Sequence, residues 1–354
     1  MDDFEGRPQF KLPLSERLAL NAVQDLMPKR ALCLSTGRAQ CAAELAEQSP
    51  ETQVTAFFID HFPATEVEDY VASDLSNLSV ACQPDLPVEE IDLFVAPQAR
   101  GGETELARDL LQQGYDRLST GGTLIATIDN AKDTWLHQEI EKLGKNLSRH
   151  PKKKGVLYRL KKQKPLKKLK NFDCEFAFRD GENLIKVISR PSVFSHRRLD
   201  LGARALMEVM EIPEGSKVLD IGCGSGAVGL AAATRSPNVS VHGIDSNARA
   251  VQCLLWGAEL NGLSNVSAHL TSSGELLEPG TFDIALGNPP YYSHFTIAEI
   301  FLQTALEGLK SGGRVYIVAK ETEWLIARME QLFDEIETRE QRGYTVVTGI
   351  KEQG

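Results

Sequence analysis

Val218-Leu219-Asp220-Ile221-Gly222-Cys223-Gly224-Ser225-Gly226 is a short apolar strand pattern running straight into three alternating glycines, and an apolar helical stretch, Ala227 to Arg235, follows at once. Glycines in such a turn let the backbone take left-handed dihedrals and approach a ligand closely, and the amides of the turn and of the helix start point outward. Beyond the turn the pattern alternates: a strand from Lys217 to Ile221, the helix, a strand from Val239 to Ile244, then a helix from Ala248 to Asn261. Short apolar strands alternating with helices predict βαβ units and a mainly parallel sheet.

The chain has 354 residues, 42% hydrophobic and 25% charged, a globular composition at a length where one core usually divides into two. No apolar run approaches the roughly 20 residues needed to cross a bilayer, and Met1-Asp2-Asp3 opens with acid, so a cytoplasmic protein with no membrane partner is expected. The six cysteines are at least eight residues apart, so no Cys-x-x-Cys pair and no metal site is expected.

A self-match at offsets of 185–191 residues runs in order along the chain. Ala31-Leu32-Cys33-Leu34 aligns with Val218-Leu219-Asp220-Ile221, Val54 to Asp60 with Val239 to Asp245, and Asp92-Leu93-Phe94-Val95 with Asp283-Ile284-Ala285-Leu286. Gly121-Gly122 aligns with Gly312-Gly313, Trp135 with Trp324, and the run from Gly155 with that from Gly343. The second half closes with a helix from Trp324 to Phe333 and an apolar run after Gly343 that can pair antiparallel at the sheet edge. Between the halves, Phe172 to Arg190 reads as a hairpin around Asp180-Gly181.

Asp245, nineteen residues after Gly226 at the end of the next strand, can accept both hydroxyls of a ribose, so the spacing fits a nucleoside cofactor. The pattern here is Gly-x-Gly-x-Gly behind Asp220, unlike the Gly-x-Gly-x-x-Gly of dinucleotide enzymes, and it resembles the S-adenosylmethionine site of class I methyltransferases. A second motif, Asn288-Pro289-Pro290-Tyr291, ends the strand pattern from Asp283. It resembles the catalytic loop of methyltransferases acting on planar nitrogens, either exocyclic base amines or a glutamine amide. The chemistry accounts for the residue types. A delocalised amine is a poor nucleophile, and acceptors for its N–H groups, here the Asn288 side-chain oxygen and the Pro289 carbonyl, help it become tetrahedral. Tyr291 would stack on the base.

Upstream, Val193-Phe194-Ser195 and Asp200-Leu201-Gly202 complete a set that, with a degenerate copy of the domain in front, resembles the bacterial ribosomal-RNA guanine-N(2) methyltransferases. The resemblance covers residues 172–320 by motif and the first half by architecture. It implies two tandem Rossmann-like class I methyltransferase domains in an α/β fold, each a mainly parallel sheet flanked by helices with an antiparallel edge strand. The domains would be 1–163 (degenerate), 164–171 (basic linker) and 172–354 (catalytic). It further implies S-adenosyl-L-methionine as cofactor, held by Phe194, Ser195, Asp200, Gly202, Asp220, Gly222, Cys223, Gly224, Gly226, Asp245, Ser246, Ser272 and Asn288. Asn288, Pro289, Pro290 and Tyr291 would carry transfer. The sequence departs from the family pattern at Tyr292-Ser293-His294, at Lys320, and at Ser272-Ser273, where an acid often contacts adenine.

In the first half, Cys33, Ser35 and Ala39 replace Asp220, Gly222 and Gly226, Pro97-Gln98-Ala99 replaces Asn288-Pro289-Pro290, and only Gly37 of the turn remains. Loss of cofactor binding and transfer is expected there, leaving a scaffold or RNA-recognition role. The net charge of −10 conceals eleven Lys or Arg and no acid from Arg149 to Lys170, beside a remainder of −21. Such a strip suits the phosphates of ribosomal RNA or a ribosomal subunit. The reading is thus a monomeric rRNA methyltransferase acting on the 2-amino group of guanine. Its rivals are methylation of a protein glutamine or an adenine amine, and a non-catalytic RNA-binding assembly factor that keeps the fold.

Overall fold

A computed structural model describes residues 10–290 and 295–352. The chain divides into two compact units, Met1–Phe172 and Asp173–Gly354.

The first unit contains α1 (Leu14–Val23), β1 (Arg30–Leu34), α2 (Gln40–Gln48), β2 (Gln53–Phe58), α3 (His61–Val67), β3 (Leu78–Cys82), β4 (Ile91–Gln98), α4 (Thr104–Arg117), β5 (Leu118–Ile128), α5 (Trp135–Glu141), β6 (Ser148–Lys152) and β7 (Gly155–Lys161). The second opens with the expected hairpin, β8 (Cys174–Asp180) and β9 (Asn183–Ser189). It continues α6 (Leu201–Val209), β10 (Lys217–Ile221), α7 (Ala227–Thr234), β11 (Ser240–Asp245), α8 (Ala248–Leu260), β12 (Val266–Leu270), β13 (Phe282–Gly287), α9 (Thr296–Gly308), β14 (Leu309–Ala319), α10 (Glu323–Met329), β15 (Asp334–Gln341) and β16 (Tyr344–Ile350).

The two sheets share one strand order, β3-β2-β1-β4-β5-β7-β6 and β12-β11-β10-β13-β14-β16-β15, with parallel pairing throughout except that β7 and β16 run antiparallel to both of their neighbours. The strand order reverses between β10 and β13, so their carboxyl ends open the crevice where such sheets hold ligands. The repeat extends to single contacts. Asp92 accepts from the Lys29 and Arg30 amides at the start of β1, and Asp283 accepts from the Lys217 amide at the start of β10.

Three local expectations are corrected. The helix after Trp324 stops at Met329, and the run after Gly343 is the penultimate strand, since β15 pairs outside it. β15, Asp-Glu-Ile-Glu-Thr-Arg-Glu-Gln, gives no strand signal in sequence, because it faces solvent nearly throughout and carries no apolar alternation. The register also moves one alignment. Leu34 pairs with Phe57 and Ile221 with Ile244, so Phe58, not Asp60, stands at the place of Asp245.

Residues 164–170 run along α4, where the Tyr115 hydroxyl donates to the Lys164 carbonyl (3.2 Å) and Gln112 exchanges two bonds with the Lys170 backbone. Of the eleven basic residues, Lys162 is buried and donates to the Asp116 and Leu118 carbonyls, while Arg159 donates to the Ala22 carbonyl. The other nine are exposed. Among the described residues no helix is long and apolar enough to cross a membrane.

Candidate active site

The glycine turn after β10 takes left-handed dihedrals at each of its glycines, with φ of +68° at Gly222, +54° at Gly224 and +82° at Gly226. The Gly222 and Cys223 amides both donate to the Ile244 carbonyl, which ties the turn to β11. Packing forbids a side chain at two of the three. A Cβ on Gly222 would lie 2.4 Å from the Phe301 ring, and one on Gly226 would lie 2.9 Å from Leu254 Cα on α8. At Gly224 nothing lies nearer than 3.9 Å, so this is the glycine that gives a ligand access to backbone. Cys223 faces inward, and burial and the Asp245 and Asp220 carboxylates push its thiol well above the usual range.

Two carboxylates flank the turn. Asp245, at the end of β11, accepts from the Gly224 amide and the Asn247 amide, each at 2.9 Å. Asp220 is fully enclosed. Burial raises its carboxyl to about 7, Asp245 adds to the rise, and the Gly229 amide, close by but outside hydrogen-bonding geometry, offsets only part of it. A carboxylate at the place of Asp245 accepts, as a phosphate does, so the turn suits a ligand bearing hydroxyls, not a pyrophosphate. That acceptor set, with the open side of Gly224, fits S-adenosylmethionine. Ser246 follows Asp245, and the Thr271 amide donates to the Asp245 carbonyl (3.0 Å), which brings Ser272 alongside.

The segment before α6 is strapped to α8. Arg249, fully buried, donates to the Pro191 carbonyl at 3.1 Å, and the Asn247 amide nitrogen donates to the Ser192 carbonyl at 3.0 Å. The Asn247 side-chain oxygen meanwhile caps α8 through the Arg249 and Ala250 amides. Val193 packs with Ala250 and Cys253. Ser192, Ser195 and Arg197 all take positive φ, a strained path costing about 1 kcal/mol or more per residue, of the kind found where a site must be shaped. The strap thereby carries Ser195 and the 58%-exposed Phe194 beside the start of α8. Gly202 is buried inside α6.

Asn288 follows β13. Ile221 pairs with Gly287, so Asn288 emerges one strand away from Gly222. A Cβ on Gly287 would lie 2.7 Å from Ile317 and 2.9 Å from Phe301, which seats the strand end tightly. The Asn288 amide nitrogen donates to Asp200 Oδ2 at 3.0 Å, joining the upstream segment to the Asn-Pro-Pro loop. Pro289 is buried and Pro290 half-buried. Tyr291 and the departures at Tyr292-Ser293-His294 lie outside the described residues. Sequence reasoning missed Asn247 and Arg249. Asn247 carried a readable signal, an Asn just before a helical run; Arg249 carried none, since an arginine in a first helical turn reads as solvated.

The corresponding turn of the first unit is filled from within. Glu16, buried on α1, accepts from the Ser35 hydroxyl and the Thr36 and Cys41 amides, and burial raises its carboxyl above the ordinary range. Ser35 Oγ in turn accepts from the Gly37 and Ala39 amides. Arg38 pairs with Glu66 and lies 5.6 Å from the ring centres of Phe10 and Phe62.

Comparison with known proteins bears on the family and the fold. The methyltransferase small domain matches residues 184–348. An uncharacterized Bacillus subtilis protein is 32% identical over 169 residues, 46% of this chain and 84% of that one. Ribosomal RNA small subunit methyltransferase C of Pseudoalteromonas translucida is 25% identical over 331 residues, 91% of this chain and 94% of that one. A solved T. thermophilus 16S rRNA N2 methyltransferase, in complex with AdoMet and guanosine, superposes with a TM-score of 0.80 at 21% identity, over 98% of this chain and 94% of that one, and shares the fold. With the small domain in its second half and a filled copy of that architecture in its first, the chain belongs to the S-adenosylmethionine-dependent ribosomal-RNA methyltransferases.

Proposed function

We propose that the protein methylates the exocyclic 2-amino group of a guanine in small-subunit ribosomal RNA. The observation that carries this reading is the emergence of Asn288 beside the glycine turn with its amide nitrogen turned to Asp200, which leaves the amide oxygen as an acceptor for a target N–H. When bound, the cofactor supplies a methyl group activated by its sulfonium. Asp245 would hold the ribose hydroxyls, Asp220 and the Gly224 face the amino-acid end, and the Phe194-Ser195 strap and Ser272 the flanks. Asn288 Oδ1 and the Pro289 carbonyl accept the two N–H groups of the target, stabilising the nitrogen as it becomes tetrahedral. No strong base is needed, because the product ammonium is acidic and yields its proton to water. The nine exposed cations between Arg149 and Lys170 supply phosphate contacts that orient RNA without reading its sequence.

The test is transfer of labelled methyl onto small ribosomal subunits lacking the modification, followed by nucleoside identification. Label in N2-methylguanosine is the expected result. Label in adenosine, or in protein glutamine only, overturns the target assignment, and no transfer with intact cofactor binding supports the assembly-factor alternative.

A further inference from the structure

We infer that Asp200 is a positioning residue for methyl transfer, acting through Asn288 and not through the cofactor; the inference rests on the reading of Asn288 as the acceptor for the target amine. Asp200 caps α6, its Oδ2 accepting from the Ala203 amide at 2.9 Å, and the same oxygen accepts from Asn288 Nδ2 at 3.0 Å. A terminal amide can turn over, exchanging its donor and acceptor ends, at little cost unless its surroundings decide between them. A carboxylate only accepts, so it holds the NH2 end and forces the oxygen to the opposite side. Without it, Asn288 can present NH2 to an incoming NH2, donor against donor, in the fraction of molecules where the amide has turned. The carboxylate also polarises the amide it grips, which makes the free oxygen a better acceptor. The strained path of Ser192, Ser195 and Arg197 leads into this cap, so the strap sets where Asp200 stands relative to β13.

The test compares Asp200→Ser, which keeps a capping hydroxyl for α6, with Asn288→Ala and the double variant, alongside Asp200→Asn as the closest isostere. For Asp200→Ser the expected result is a cofactor Kd within about threefold of the parent by calorimetry, a KM for the RNA substrate equally little changed, and a kcat about 10- to 100-fold lower. The double variant is expected to be no slower than Asn288→Ala alone, the signature of two residues acting as one unit. In the cofactor-free protein, NMR exchange of the Asn288 side-chain amide protons should speed up in Asp200→Ser. A cofactor Kd raised tenfold or more makes Asp200 a cofactor ligand and overturns the inference. Unchanged kcat in both Asp200 variants with Asn288→Ala inactive overturns it while leaving the proposed function standing, whereas an Asn288→Ala variant with full turnover removes both.

Discussion

The turns after β1 and β10 share strand order, register and helix-strand path, and differ in who supplies the acceptor. After β10, the carboxylates come from the strand ends, Asp220 and Asp245, and an open glycine face lies between them. After β1, those strand positions hold Cys33 and Phe58, and the acceptor is Glu16, arriving from α1 into the turn itself. The first turn satisfies its own amides and is closed; the second leaves chemistry for a ligand. The difference between the two turns is therefore one of packing, in which a buried acid takes over polar groups that would otherwise be stranded.

The largest expected effect tests the difference at the transfer loop, where the first copy has Pro97 in place of Asn288. Asn288→Ala should lower turnover by about three orders of magnitude with cofactor affinity nearly intact, measured by methyl transfer and calorimetry. Glu16→Ala probes the closed turn: stranding the Thr36 and Cys41 amides and the Ser35 hydroxyl should cost about 2–4 kcal/mol of first-unit stability in denaturant unfolding, while cofactor affinity holds. Equal unfolding midpoints would mean that the acid merely fills space.

Asp220 gives a pH test of the open turn. Its carboxyl sits at about 7 in the folded protein against an ordinary 3.8, so between those values the native state keeps a proton the unfolded chain has released. Stability from this group is thus lost as pH rises from about 4 to about 7. Asp220→Asn should remove that slope, raising the Tm by several degrees at pH 8 and not at pH 4, and should weaken cofactor binding; melting curves across pH decide it. The smallest effect is at Ala39, which takes φ +56° in the place of Gly226. Ala39→Gly should stabilise the first unit by about 0.5–1 kcal/mol in the same denaturant titrations.

The duplication, the parallel sheets and the two motif loops were legible in the sequence because glycines, prolines and apolar strand patterns report backbone geometry directly. The rest depended on long-range placement. Glu16, Arg249 and Lys162 are charges that burial and hydrogen bonding reconcile with a core, and nothing local marks them. The place of Phe58 against Asp245 needed strand register, since a two-residue shift in alignment kept an acid in line that the sheet does not. The motif alone places Asp200 beside the cofactor; its bond to Asn288 joins residues 88 apart.

The edge strands on the antiparallel side of the two sheets carry opposite charge. β6 is exposed along its length, holds Arg149 and Lys152, and is interrupted by Pro151, which has no amide to offer. β15 is acidic and bulges between Asp334 and Glu337, with Glu335 at φ +51°. An open sheet margin is a template for another chain, and each of these is spoiled by its own means, proline and lysine on one, a bulge and glutamate on the other. On its antiparallel side each sheet thus ends in a margin poorly suited to fibrillar stacking, a form of protection against aggregation written into the same residues that set the surface field there.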